Sequence, residues 1–126
     1  MERRIFLAAS GLLGLMGTAA IAADAARPLY GLIGKMKAVP GQRDALIAAI
    51  LEGSAAMPGC LSYIVAHDAD DGDAIWITEV WDSEASHDAS LQLPAVQASI
   101  ARAKDLVAAM ETGVVTAPVG GIGLKN

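Results

Sequence analysis

One cysteine, Cys60, occurs in the 126 residues, so no disulfide can form within the chain and its stability has to come from packing. Histidine is nearly as scarce. His67 and His87 share no i, i+4 spacing and have no cysteine cluster beside them, which leaves no pattern for a metal site. Basic residues are outnumbered, 9 Lys and Arg against 14 Asp and Glu, and the acidic excess is spread along the chain. Nucleic acid is therefore excluded as a partner. No Gly-rich phosphate loop joins a strand to a helix, and there is no nucleophile elbow. Cys60 follows the turn Pro58-Gly59 and opens an apolar run, the setting of a small buried hydrophobe rather than an activated thiol.

What is present starts with an export signal over residues 1–22. Arg3 and Arg4 precede an apolar stretch rich in Leu, Ala and Gly, and small residues allow A-x-A cleavage after Ala22 or Ala25. The Arg3-Arg4 pair followed by Ile5-Phe6-Leu7 resembles the twin-arginine type; general secretion is the alternative. Gly11, Gly14 and Gly17 argue against an uncleaved anchor. The expectation is a periplasmic protein, off the membrane once the signal is removed. Residues 23–28 form a linker, 29–118 one small domain, and 119–126 a glycine-rich tail.

The domain reads as strand, helix, strand, strand, broken helix, strand. Tyr30, Leu32, Met36 and Ala38 alternate with Lys35 and Lys37 in the first strand. A helix between Pro40-Gly41 and Pro58-Gly59 buries Leu46 and Ile50. Cys60 to His67 and Ala74 to Trp81 are strands, and Asp71-Gly72 between them predicts a hairpin through positive φ rather than a calcium loop. Asp82 or Ser83 caps the next helix, Pro94 restarts it, and the spacing of Val96, Ile100, Val107 and Met110 extends it to Met110. Residues 113–119 form the last strand. This order is the ferredoxin-like βαββαβ plan of an α+β domain with an antiparallel sheet. The third strand is largely apolar on both sides, so its second face also needs cover. A partner sheet supplies it in a dimeric α+β barrel, a homodimer with an interior pocket.

The stretches "ITEVWDSEASHDASLQLPAVQ" and "TAPVGGIGL" resemble the antibiotic biosynthesis monooxygenase family, which includes quinol monooxygenases. The likeness covers about residues 29–124 and lies in the element order, the Glu-x-Trp ending of the third strand and the helix after it. It implies a homodimeric α+β barrel that oxidises phenolic or quinol aromatics with O₂, using neither metal nor flavin. Many members carry a histidine at the place held here by Ser90, one turn after His87. The haem-degrading branch is less similar.

Cofactor-free oxidation needs an apolar pocket, a base for a phenolic proton and a donor for the resulting anion. Tyr30, Met36, Tyr63, Trp76 and Trp81 are the candidate walls, His87 the base, and Ser90 or a tyrosine hydroxyl the donor. Trp76 and Trp81 lie five apart on a strand, so at most one faces the pocket. Glu79, a carboxylate on an apolar face, reads either as a site residue or as the partner of Lys35 or Arg43. His87 reads either as that base or as a helix-end surface histidine. The function expected is a cofactor-independent monooxygenase of a quinol-like or phenolic aromatic; the alternative is a non-catalytic dimeric barrel holding a small apolar ligand.

Overall fold

A computed structural model describes residues 28–124; the expected export signal over residues 1–22 and most of the expected linker lie outside the described residues. The elements are β1 (Tyr30–Ala38), α1 (Arg43–Gly53), β2 (Cys60–His67), β3 (Ala74–Trp81), α2 (Glu84–Ser90), α3 (Pro94–Ala103) and β4 (Val107–Thr116). The strands form one open antiparallel sheet in the order β2-β3-β1-β4, the ferredoxin-like α+β arrangement.

The register decides which residues meet the helices. Tyr30 pairs with Trp81, Leu32 with Glu79 and Met36 with Ile75, while Tyr63 and Val65 on β2 pair with Glu79 and Ile77. These positions share a face because the side-chain period of a strand is two. On that face Leu46 and Ile50 of α1 pack with Ala38, Ile75 and Ile77 to form the core. Gly53 lets α1 lie against α3, since a Cβ there would strike Ser99. The opposite face presents Lys35, Lys37, Trp76 and Val80 together with exposed Ile33, Ile64 and Val114. The cover predicted for it is not supplied by the helices. No described helix is long and apolar enough to cross a membrane.

Two local expectations are corrected. The third helix ends at Ala103, and Val107 and Met110 belong to β4, where they pair with Ala38 and Met36. The last strand therefore begins at residue 107 rather than 113. In the β2–β3 connection neither Asp71 nor Gly72 takes positive φ. Asp68 builds the turn instead: its Oδ1 accepts the backbone N–H groups of Asp70 and Asp71, both at 2.9 Å, and its Oδ2 accepts the Trp76 indole N–H at 2.8 Å.

The Asp68 carboxyl is held well below the usual carboxylate range, first by the Asp70 N–H, then by the Trp76 and Asp71 donors and the Lys35 charge. A depressed folded pKa adds stability above the unfolded value near 4 that is lost as pH falls through the folded value. Asp68→Asn is expected to lower the melting temperature at neutral pH, whereas Asp70→Asn leaves it nearly unchanged. The gap between Asp68→Asn and the native chain narrows as pH drops below about 4; thermal melts across that range check it.

Candidate active site

Between the helix-side face of the sheet and the three helices lies a cavity of about 530 Å³, a size suited to a small aromatic ligand. Its walls are mostly apolar: Met36 and Ile77 from the sheet, Ile50 from α1, Val96 and Ile100 from α3, and Val107 and Met110 from β4. The extension of β4 back to residue 107 is what brings the last two there. The polar wall residues are fewer. Glu79, Tyr63, His87, Lys104 and the serines 54, 90 and 99 make up that set.

His87 reaches the wall because α2 starts at a defined place. Ser83, in extended backbone, accepts the Ser86 N–H at 3.1 Å and caps the helix. One turn on, the His87 ring stands edge-on to the Trp81 ring, 5.4 Å between centroids, and 5.3 Å from the Tyr30 ring. Its side chain is 18% exposed. The ring is therefore clamped between two aromatics, not free at the surface. Nδ1 lies 3.1 Å from Asp88 Oδ1. A carboxylate only accepts, so this contact is made with the hydrogen on Nδ1, and in a neutral ring of that tautomer the lone pair is on Nε2. That is the form a proton acceptor needs.

Glu79 also lines the cavity. Its partner is neither Lys35 nor Arg43: Oε1 accepts the Trp81 indole N–H at 2.8 Å. Lys35 lies 3.5 Å from both Asp68 and Glu111, and Arg43 donates to the carbonyls of Asp71 and Ala74. Trp81 is 1% exposed, so one buried indole carries the carboxylate on its N–H while His87 stands against its ring.

Of the other predicted residues, Met36, Tyr63, Trp81 and Ser90 line the cavity. Tyr30 backs His87 instead of forming the wall. Trp76 is on the opposite sheet face, bonded to Asp68 with Lys35 Nζ 5.6 Å from its ring centroid, and takes no part in the cavity. Ser90 is present but cannot serve as the donor proposed for it, since its hydroxyl donates to the His87 carbonyl at 2.6 Å. Burial and, behind it, the Glu79 charge push the Tyr63 hydroxyl pKa well up, so it stays a neutral donor. Burial likewise raises the pKa of Tyr30, with smaller contributions from Glu84, Asp88 and Glu79. Burial also pushes the Cys60 thiol up, which disfavours the thiolate a nucleophile requires. His67 is exposed at the far end of β2. Among the described residues no three His, Cys, Asp or Glu side chains are grouped to hold a metal ion.

Asp88 is the candidate site residue that sequence reasoning missed. The signal was only its adjacency to His87, which on a helix does not by itself imply contact.

The antibiotic biosynthesis monooxygenase model matches residues 29–102. No curated protein is significantly similar to the chain. A candidate antibiotic biosynthesis monooxygenase from Chloroflexus aurantiacus is 63% identical, with 77% of this chain and 99% of that chain covered and a TM-score of 0.76. A candidate antibiotic biosynthesis monooxygenase from Nitrosomonas europaea shares the fold at 17% identity, covering 72% and 90% of the two chains with a TM-score of 0.67. A Mycobacterium tuberculosis protein does so at 24% identity, covering 75% and 98%, with a TM-score of 0.60. On the family match and the Chloroflexus likeness together, the chain belongs to the antibiotic biosynthesis monooxygenase family.

Proposed function

We propose that the cavity is the active site of a cofactor-independent monooxygenase that oxidises a phenolic or quinol-like aromatic with O₂. Family membership supports a monooxygenase-like role. The observation that carries the finer reading is His87, set on a mostly apolar wall with Nδ1 3.1 Å from Asp88 Oδ1 and, among the described residues, no hydrogen bond to Nε2.

The chemistry balances without a further reductant. His87 Nε2 takes the hydroxyl proton of a naphthol, and the electron-rich anion passes an electron to O₂. The resulting radical and superoxide join at the ring carbon para to the oxygen. Loss of water from that peroxide leaves the quinone, so one oxygen atom enters the ring, the other leaves as water, and the substrate supplies every electron. Apolar walls serve the step by keeping bulk water away from the anion.

The chain is further proposed to act in the periplasm after removal of residues 1–22, as a homodimer in which the exposed Ile33, Ile64 and Val114 of two sheets meet. The oxygen reading is checked by oxygen uptake of chelator-treated residues 23–126 against hydroquinones and naphthols. Uptake well above the uncatalysed rate is expected. Binding without uptake contradicts it and leaves the non-catalytic dimeric barrel that holds a small apolar ligand.

A further inference from the structure

Every methionine among the described residues lies on the cavity wall: Met36 on β1, Met57 in the loop after α1 and Met110 on β4. Two of them are neighbours. Met36 and Met110 stand opposite one another in the β1–β4 register, at the irregularity that follows Lys35, so their side chains form one patch of wall. Access to the patch is graded, with Met110 64% exposed and Met36 half-buried. A thioether packs as an apolar group, yet peroxides oxidise it. Cys60, the other sulfur among the described residues, is not on that wall, and burial pushes its thiol up, which leaves little thiolate for a peroxide.

We propose that Met36 and Met110 are a modification site, a peroxide-responsive patch whose conversion to sulfoxides lowers the affinity of the cavity for apolar ligands. With hydrogen peroxide, a sulfur lone pair attacks one peroxide oxygen, the O–O bond breaks and an S–O bond forms. The departing hydroxide takes up the remaining proton and leaves as water, so sulfur loses the two electrons that the peroxide gains. Met110 reacts first because peroxide reaches it from solvent, and its sulfoxide stays hydrated. Met36 follows and has the larger effect. Its sulfoxide oxygen is a strong acceptor on a mostly apolar wall, where the hydroxyls of Ser54, Ser90 and Ser99 already donate to main-chain carbonyls. An apolar molecule entering the cavity therefore strips water from that oxygen and gives it no hydrogen bond in return. The patch responds to peroxide from any source, independently of whether the cavity turns over a substrate.

The test treats residues 23–126 with hydrogen peroxide, maps sulfoxides by peptide mass spectrometry, and measures affinity for naphthalene, an apolar probe with no hydroxyl, by equilibrium dialysis. Met110 is expected to convert before Met36, and affinity to fall by about 10-fold once Met36 is converted, with the circular dichroism unchanged. Leucine is close to methionine in volume, so the double variant Met36→Leu, Met110→Leu folds. It is expected to keep its affinity through the same treatment, although Met57 and Cys60 remain open to the oxidant. Met110→Leu alone is expected to lose affinity nearly as the native chain does. An affinity unmoved by conversion of both methionines, or a loss in the double variant as large as in the native chain, overturns the inference. So does a loss that comes only with unfolding, or a native chain that takes up no naphthalene.

Discussion

Alanine at His87 is expected to lower kcat for a naphthol by about 100-fold, close to 2.7 kcal/mol of barrier, with KM changed little. The size follows from the role: a positioned base contributes roughly 10²- to 10⁴-fold, and water entering the vacated space replaces it in part. The ring is fixed by Trp81 and Tyr30 from its sides and by Asp88 through Nδ1. His87→Gln keeps a polar side chain of similar length without a titratable nitrogen, and should fail as alanine does. Steady-state oxygen uptake decides it, with circular dichroism confirming that both variants fold. Undiminished kcat in both would remove His87 from the chemistry.

Trp81→Ala carries the largest expected cost in stability, about 3–5 kcal/mol. Such a loss is a large part of the 5–15 kcal/mol typical of a whole domain. Trp81 is among the largest fully buried side chains and leaves a void that the sheet cannot close. It also strips Glu79 of the indole donor on a mostly apolar cavity wall and removes the ring against which His87 rests. Trp76, half-buried on the opposite face, gives the contrast. Trp76→Ala is expected to cost less than Trp81→Ala and to leave oxygen uptake nearly unchanged, because it touches the hairpin and not the cavity. Denaturant melts of the two variants side by side measure this.

The element order and the face assignments were legible because β1 alternates and glycine, proline and caps mark the breaks. The segment from Lys104 to Met110 was not. It contains no glycine or proline and is rich in helix-forming residues, so its helical spacing looked continuous with α3. Tertiary pairing overrides that preference. A turn closed by the Leu106 N–H to Ala103 redirects the chain, and β1 offers an edge on which Met110 meets Met36. The Asp71-Gly72 signal failed for a related reason: carboxylates at 68 and 71 satisfy the turn's N–H groups, so no residue there needs positive φ.

At the site, residue types were readable and partners were not. Glu79 and Trp81 are two apart on one strand and so share a face, which was enough to predict their contact had the indole been considered as a donor. The pairing of His87 with Asp88 and the loss of Ser90 as a donor depend on rotamers that no spacing encodes.

The proposed reaction inserts oxygen into the substrate using electrons from the substrate alone. Turnover of a naphthol by chelator-treated residues 23–126 under dioxygen of the heavy isotope, read by mass spectrometry, tests it most directly. The expected product is a naphthoquinone carrying one heavy oxygen atom, with the other in water. An unlabelled quinone accompanied by hydrogen peroxide would contradict it and make the protein an oxidase, and no product at all would return the cavity to a binding role.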